Sequence, residues 1–208
     1  MAFNVPALTD TEIHVWQLPW ATDAASAPMI HDLLAGYAGP DAPAVARGEH
    51  GKPHFPGDAG SLGFSWTHSQ DTALFAVGRG TPAFQVGVDV ERVRPRARAL
   101  ELASRFFAPG ETAWLRSLAG DDVLAGFLSL WTVKEAVLKA HGGGLSYGLH
   151  RVEFAPTAAG GLAASAFDGD VGPASAWQIH RLGLGEGLVA SVAWRGASRS
   201  VRVFTYPL

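Results

Sequence analysis

The chain has 208 residues, of which 48% are hydrophobic, no cysteine, and a formal net charge of -3 at pH 7. This composition suits a globular protein with one large domain or two lobes of about 100 residues each. It excludes disulfides, cysteine nucleophiles and thiolate metal sites, and the absence of a net positive charge argues against nucleic acid as the main partner.

Taken in chain order, the first half predicts a strand, a short helix, a loop and a small sheet. Residues 11–18 alternate apolar and polar side chains, residues 27–37 suit a helix, and residues 39–60 are rich in Gly and Pro. Three β-type runs separated by turn-prone residues then predict an antiparallel meander over residues 61–67, 72–78 and 83–90.

The second half predicts helices followed by strands. Helical patterns cover residues 99–107, a segment that begins at Pro109, and residues 121–140, where three glycines end the last helix. Strand patterns then cover residues 151–154, 162–167, 176–182, 188–194 and 201–206. We therefore predict an α+β protein with two lobes, residues 1–95 and 96–208.

The segment GVDVE carries a possible metal-binding pair. Its valines occupy alternate positions, so in a strand they share one face while Asp89 and Glu91 project from the other. Two carboxylates held this close repel each other, and a hard cation such as Mg²⁺ would compensate. The alternative is an ordinary strand with one buried and one solvated face.

A third carboxylate, Glu135, lies in the helix predicted over residues 121–140. It projects with Lys139, one turn further on, from the side opposite an apolar ridge. The ridge consists of Leu130, Val133, Val137 and Ala140. The alternative is a solvent-exposed Glu–Lys pair. Trp131, one turn before Glu135, indicates that this side is at least partly covered.

Other charged motifs have both functional and ordinary interpretations. Lys139 next to the glycines at 142–144 suits a ligand site or a helix C-cap, and Lys52 in the sequence GKP suits a site or a turn. The alternating arginines from Arg92 to Arg98 predict a solvated edge, or a surface for phosphate or an acidic partner. His68 lies near a serine, but no nucleophile elbow is present, so serine hydrolase chemistry is rejected.

The order of these motifs resembles one enzyme family. The series GKP, FSWTHS, GVDVE, RFFAPGE and WTVKEAVLKAHGGGLS, over residues 51–146, is similar to the Sfp-type 4′-phosphopantetheinyl transferases. The resemblance implies their α+β fold, a pseudo-dimer of two lobes with the active site in the cleft between them. It spans nearly half the chain.

The resemblance also implies site residues. Asp89, Glu91 and Glu135 correspond to Mg²⁺ ligands, and Glu135, Lys139 and His68 to catalytic groups. The coenzyme A site would be formed by Lys52, Pro53, Thr67, His68 and Lys139. Lys134 is expected to be structural or peripheral, and the segment after WTVKEA to face the carrier protein.

The implied reaction transfers 4′-phosphopantetheine from coenzyme A to a serine of an acyl or peptidyl carrier protein. With Mg²⁺ neutralising the pyrophosphate, the serine hydroxyl would attack the β-phosphorus and 3′,5′-ADP would leave. Glu135 or a water molecule would take the proton. We expect a cytoplasmic monomer without nucleic-acid or membrane partners.

Three departures from the family pattern stand out. Ser65 and Thr67 replace residues common around the histidine, although both can still hydrogen-bond. Residues 1–45 contain no Lys or Arg, whereas family members usually contact the 3′-phosphate from this region. Two alternatives therefore remain open, a non-catalytic module that binds coenzyme A or a carrier protein, and a metal-dependent pyrophosphate hydrolase.

Overall fold

The computed structural model describes residues 4–39, 42–56, 61–80 and 84–207. The chain combines mainly antiparallel sheets with a run of consecutive helices, which confirms the α+β class. The first half contains β1 (Glu12–Pro19), α1 (Asp23–Ala38), β2 (Ala46–Arg47), β3 (Pro53–His54), β4 (Leu62–Ser69), β5 (Thr72–Arg79) and β6 (Val86–Arg92). No described helix is long and apolar enough to cross a bilayer.

The second half begins with helices and ends with strands, as predicted. The helices are α2 (Ala99–Phe106), α3 (Pro109–Ser117), α4 (Asp121–His141) and the short α5 (Gly144–Tyr147). The strands are β7 (Val152–Pro156), β8 (Leu162–Phe167), β9 (Trp177–Arg181), β10 (Leu188–Arg195) and β11 (Ser200–Thr205).

The predicted meander of three strands is wrong for its third member. Strands β4 and β5 form the expected hairpin, in a sheet with the order β11-β1-β5-β4, but β6 leaves it and pairs with β10 in a sheet with the order β6-β10-β9. Because β6 lies in the second sheet, its valines can pack face to face on Ile13, Val15, Leu74 and Ala76 of the first sheet, while β10 supplies its backbone hydrogen bonds. The predicted loop over residues 39–60 also contains the β2–β3 hairpin, and its residues 40–41 and 57–60 lie outside the described structure.

The two halves of the chain exchange strands. Strand β6 from the first half pairs with β10 from the second, and β11 from the second half pairs in parallel with β1. The lobe boundary after residue 95 stays a prediction. Because of this exchange, both the four-stranded and the three-stranded sheet contain strands from the two halves of the chain.

Three clusters of buried apolar side chains lie between the layers of the fold. Helix α1 packs on the first sheet, the two sheets pack against each other through β6 valines, and α4 packs on the second sheet together with α2 and α3. Helix α4 therefore lies deep in the molecule: Leu130, Val137 and Ala140 are fully buried. The helix is covered nearly all round rather than on one ridge.

Candidate active site

The two faces of strand β6 contact different parts of the protein. Val86, Val88 and Val90 pack between the two sheets, and the alternate positions Gly87 and Asp89 face α4. The predicted division of the strand into a valine face and an acidic face is therefore present. The acidic face is covered by a helix, and Asp89 is only 5% exposed, so the alternative of a strand with one solvated face is wrong at this residue.

Gly87 allows the close contact between β6 and α4. A Cβ atom at this position would lie 2.0 Å from the Ala136 carbonyl oxygen and 2.4 Å from the Ala140 nitrogen, both backbone atoms of the helix. No side chain can be accommodated without moving the helix. This glycine brings Glu135 and Lys139 alongside the D-x-E strand, and the sequence analysis did not identify it.

Lys139 joins the helix to the strand. Its Nζ lies 2.6 Å from Asp89 Oδ1 and 3.0 Å from Thr67 Oγ1, and it donates to the Val88 carbonyl at 3.4 Å. Thr67 also donates to Asp89 Oδ1 at 3.0 Å. Three of the residues predicted for the site are thus in direct contact, one each from β4, β6 and α4.

Hydroxyl side chains occupy every second residue from Ser65 to Ser69 in β4, the same spacing that separates the two acids of β6. Ser69 Oγ donates to Glu91 Oε2 at 3.3 Å, and Ser65 Oγ accepts from the Val88 amide at 3.4 Å. The alternation of Ser65, Thr67 and Ser69 in FSWTHS could have indicated this face. Only Thr67 was predicted for the site.

Glu135 is buried beside the other acids. The structure gives its carboxylate no hydrogen-bond partner among the described residues, and it is 5% exposed. Burial first, and then the negative charge of Asp89, raise the pKa of Glu135 to about 7, although Lys139 opposes this shift. Burial likewise raises the pKa of Glu91, against the effect of Arg96.

The donor chemistry of this cluster suits a hard divalent cation. Three carboxylates supply oxygen atoms of the kind that Mg²⁺ prefers, and the buried Asp89 Oδ2 has no hydrogen-bond partner. In the described part of the chain, however, no three acidic or histidine side chains are grouped closely enough to hold a metal ion as they stand. Lys139 and Arg96 neutralise Asp89 and Glu91 instead.

A cleft opens beside this cluster at the end of α4. It measures about 250 Å³ and lies next to a larger cleft of about 510 Å³. Lys139 and Arg47 line the smaller cleft, and Lys52 and Pro53 line both, together with Gly142. The predicted coenzyme residues of the GKP motif are therefore close to the predicted catalytic helix.

Lys52 connects the GKP turn to helix α4 through a hydrogen bond. Its Nζ donates to the carbonyl of Ala140, in the last turn of α4, and to the Val86 carbonyl at 3.5 Å. Gly142 ends the helix in a left-handed conformation with φ 100° and packs near the Lys52 side chain. Burial lowers the pKa of Lys52 to about 7.

His68 does not join the carboxylate cluster. It lies between Thr67 and Ser69 on β4, so its side chain projects from the opposite face of the strand. There it stacks on Trp20 with ring centroids 4.6 Å apart, and Nε2 lies 3.9 Å from Asp23 Oδ1. The side chain is 47% exposed.

Lys134 is fully buried on the other side of α4. It forms an ion pair with Glu111 at 2.7 Å and donates to the carbonyls of Leu149 at 2.8 Å and Val152 at 2.5 Å. Glu111 in turn accepts from the Phe154 amide at 2.9 Å. These contacts join α3, α4 and β7, in keeping with the structural role expected for Lys134.

Most of the alternating arginines are paired with acids. Arg92 contacts Asp71, Arg96 lies 2.5 Å from Glu91 and Arg98 lies 2.5 Å from Glu101. Arg92 and Arg96 are partly buried in these ion pairs, so the prediction of a solvated edge is wrong for these two residues. Only Arg94 among the four forms no ion pair with a described residue.

Comparison with known proteins agrees with these motifs. Residues 85–193 match the family model of the 4′-phosphopantetheinyl transferase superfamily. The chain is 35% identical over 176 residues to the 4′-phosphopantetheinyl transferase HetI of Nostoc sp., covering 81% of this chain and 68% of HetI. It is 40% identical over 102 residues to the 4′-phosphopantetheinyl transferase AcpT of Salmonella typhimurium, covering 49% of this chain and 50% of AcpT.

A further relative and a solved structure complete the comparison. Identity is 32% over 99 residues to the 4′-phosphopantetheinyl transferase gsp of Aneurinibacillus migulanus, covering 48% of this chain and 38% of gsp. The holo-[acyl-carrier-protein] synthase of Neisseria meningitidis superposes with a TM-score of 0.41 at 16% identity, covering 54% of this chain and 98% of that one. The chain spans about half the length of most of the curated relatives that it matches.

Proposed function

The chain belongs to the 4′-phosphopantetheinyl transferase superfamily, and we propose that it transfers 4′-phosphopantetheine from coenzyme A to a serine of an acyl or peptidyl carrier protein. The observation that carries the proposal is the approach of three carboxylates, Asp89, Glu91 and Glu135, which lie close enough for the first two to add to the effect of burial and raise the pKa of the third. This cluster lies beside a cleft lined by cations.

The reaction requires compensation of phosphate charge. Asp89, Glu91 and Glu135 would hold Mg²⁺, which when bound neutralises the pyrophosphate and polarises the bond that breaks. The Lys139 ammonium lies between Asp89 and the smaller cleft. It offsets the charge that develops on the phosphate oxygens of the leaving group.

The proposed step balances without a nucleophile on this chain. The carrier serine oxygen forms a bond to the β-phosphorus of coenzyme A, the bond from that phosphorus to the bridging oxygen breaks, and 3′,5′-ADP leaves with the electron pair. The serine proton passes to Glu135 or to a water molecule.

The remaining predicted residues bind and orient the substrates. Lys52 and Pro53 form the wall shared by both clefts and bind coenzyme A. Thr67 fixes the positions of Asp89 and Lys139 through its hydroxyl group. His68 contacts a coenzyme phosphate from the exposed face of β4, and the segment that begins at α5, where Leu145 is exposed, faces the carrier protein.

A non-catalytic module that binds coenzyme A is the second candidate. It is favoured by the ion pair of Lys139 with Asp89, because this ammonium already neutralises a proposed metal ligand. Such a module would bind coenzyme A with an affinity that does not depend on Mg²⁺.

Intact-mass measurement of carrier proteins distinguishes the two. Several acyl and peptidyl carriers are incubated with the chain, coenzyme A and Mg²⁺, with EDTA-treated samples as the control. The proposed function predicts that one carrier or more gains the mass of one phosphopantetheine, only when Mg²⁺ is present. Binding of coenzyme A without any gain in mass would favour the module and contradict the transferase.

A further inference from the structure

Arg96 places a positive charge inside the cluster of proposed metal ligands. Its Nη2 lies 2.5 Å from Glu91 Oε2, and both side chains are largely buried, with 18% and 16% of their surface exposed. Arg96 follows β6 in the segment that leads into α2, and its guanidinium carbon lies 6.0 Å from the centre of the Phe127 ring in α4. The charge is therefore held between the strand and the helix that carry the acids.

The ion pair of Arg96 with Glu91 is incompletely hydrogen-bonded. Arg96 Nε is buried and has no hydrogen-bond partner among the described residues. In the ion pair of Lys134 with Glu111, by contrast, Lys134 also donates to two backbone carbonyls and Glu111 accepts from two backbone amides. A buried donor without a partner is unfavourable. We therefore expect Arg96 to leave its carboxylate more readily than Lys134 does.

Arg96 and a divalent cation require the same carboxylate. Glu91 Oε2 already accepts from Arg96 and from Ser69 Oγ, the latter at 3.3 Å. A cation of the Mg²⁺ type binds carboxylate oxygens directly, at about 2.1 Å, and repels a guanidinium at the same oxygen. Binding of a metal through Glu91 therefore requires Arg96 to give up its direct contact.

The charges of the cluster show what this contact achieves. With every group ionised, the carboxylates of Asp89, Glu91 and Glu135 and the cations of Lys139 and Arg96 leave a net charge of -1. A divalent cation changes this charge to +1, which attracts an anionic pyrophosphate. Without the guanidinium the cluster would attract the metal more strongly and the pyrophosphate less strongly.

We propose that Arg96 is an internal counter-ion that competes with the divalent cation for Glu91 and thereby weakens metal binding by the free protein. This proposal rests on the proposed function, since it concerns the metal that the three carboxylates would hold. The guanidinium neutralises Glu91 while no metal is bound. After exchange it stays next to the site as a positive charge for the substrate.

Binding of Mn²⁺ to the protein alone tests the proposal without coenzyme A or a carrier. Free Mn²⁺ is measured by electron paramagnetic resonance for wild type, Arg96→Gln, Glu91→Gln and the double variant. Glutamine is neutral and can still donate a hydrogen bond to Glu91, so we expect Arg96→Gln to bind Mn²⁺ roughly tenfold more tightly than wild type. The gain should be smaller in the presence of Glu91→Gln, because no carboxylate then remains for Arg96 to occupy.

Arg98→Gln is the matched control, because Arg98 also lies 2.5 Å from a carboxylate, that of Glu101, but on the exposed surface. It should change the affinity for Mn²⁺ less than twofold. Equal affinities in wild type and Arg96→Gln, an equal gain in Arg98→Gln, or no detectable binding by Arg96→Gln would overturn the proposal. Weaker binding by Arg96→Gln would also overturn it, since Arg96 would then hold Glu91 in place for the metal.

Nuclear magnetic resonance of wild type labelled with ¹⁵N-arginine provides a second measurement if Arg96→Gln does not fold. Mg²⁺ should shift the Nε–H signal of Arg96, assigned with Arg96→Lys, and leave that of Arg98 in place. An unchanged Arg96 signal at saturating Mg²⁺ contradicts the exchange. Tighter Mn²⁺ binding by Arg96→Gln in a protein that modifies no carrier contradicts only the proposed function. Transfer by wild type together with equal Mn²⁺ affinities contradicts this inference alone.

Discussion

The Lys139 ammonium and the Asp89 carboxylate lie 2.6 Å apart, and this ion pair connects helix α4 to strand β6 inside the protein. Asp89 is buried, whereas the Lys139 side chain is 28% exposed towards the cleft. The pair therefore has one end in the core and one end where a phosphate can reach it. The same contact contributes to the fold and to the proposed chemistry.

Removal of Lys139 should destabilise the protein because it leaves a buried carboxylate unpaired. We expect Lys139→Met to lower the free energy of unfolding by about 2 kcal/mol, less than for a fully buried pair since Lys139 is partly exposed. The double variant Asp89→Asn/Lys139→Met should lose less than the sum of the single variants. Urea unfolding of wild type, the two single variants and the double variant measures the coupling free energy between the two side chains. Strictly additive losses would contradict an ion pair that stabilises the fold.

Gly87→Ala should disrupt the packing of β6 against α4. The added methyl group would overlap the backbone of Ala136 and Ala140, which cannot move without shifting the helix. We expect a loss of about 3 kcal/mol or more in the free energy of unfolding. The control is Gly110→Ala in α3, where nothing lies within 4 Å of the added atom. The control should be neutral or slightly stabilising, and equal effects at both positions would disprove the steric argument.

Lys134→Met should impair stability rather than catalysis. Its ammonium is fully buried with Glu111, and breaking such a pair costs about 3–5 kcal/mol because a charge remains buried without its partner. The exposed pair of Arg98 and Glu101 provides the comparison, and Glu101→Gln should change the stability far less, because solvent screens this pair. Thermal unfolding measures both. A stable Lys134→Met protein without transfer activity would instead assign this lysine to the reaction.

The order of the elements could be predicted from the sequence, but the partners of the strands could not. Residues 72–78 and 188–194 have clear strand patterns, and both form strands. The pairing of β6 with β10 depends on an apolar surface about 100 residues further along the chain, and local periodicity carries no information on it. The alternation of apolar and acidic residues in GVDVE correctly predicted that the valines and Asp89 lie on opposite faces of the strand.

The contacts within the site were less accessible from sequence. The three carboxylates and Lys139 were identified by motif, but the burial of Asp89 and the ion pair between Arg96 and Glu91 follow from tertiary packing. Gly87 is a further example. A glycine in a strand is common, and only the position of α4 shows why this one cannot carry a side chain.

Stability should fall in mildly acidic solution because of His14. This ring is fully buried, Nδ1 lies 2.8 Å from the Tyr37 hydroxyl, and burial lowers the pKa of His14 despite the nearby Glu12. The His14 ring is therefore protonated more readily in the unfolded chain than in the folded protein. For this reason the free energy of unfolding decreases as pH falls from about 7 to 5.

Variants of two histidines isolate this effect. In His14→Gln the decrease over this pH range should become smaller, while His31→Gln, at an exposed position of α1, should keep the wild-type pH dependence. Unfolding by urea at several pH values provides the measurement. An unchanged slope in His14→Gln would show that other groups cause the acid sensitivity.

The most direct test of the central claim is the rate at which a responsive carrier protein gains phosphopantetheine, followed by intact mass with saturating coenzyme A and Mg²⁺. Wild type is compared with Asp89→Asn and Glu135→Gln, two substitutions that preserve shape and remove a proposed metal ligand. We predict that wild type modifies the carrier and that both variants are at least about 100-fold slower, with correctly folded protein verified by circular dichroism. Wild-type rates in both folded variants would contradict the assignment of these carboxylates to the active site.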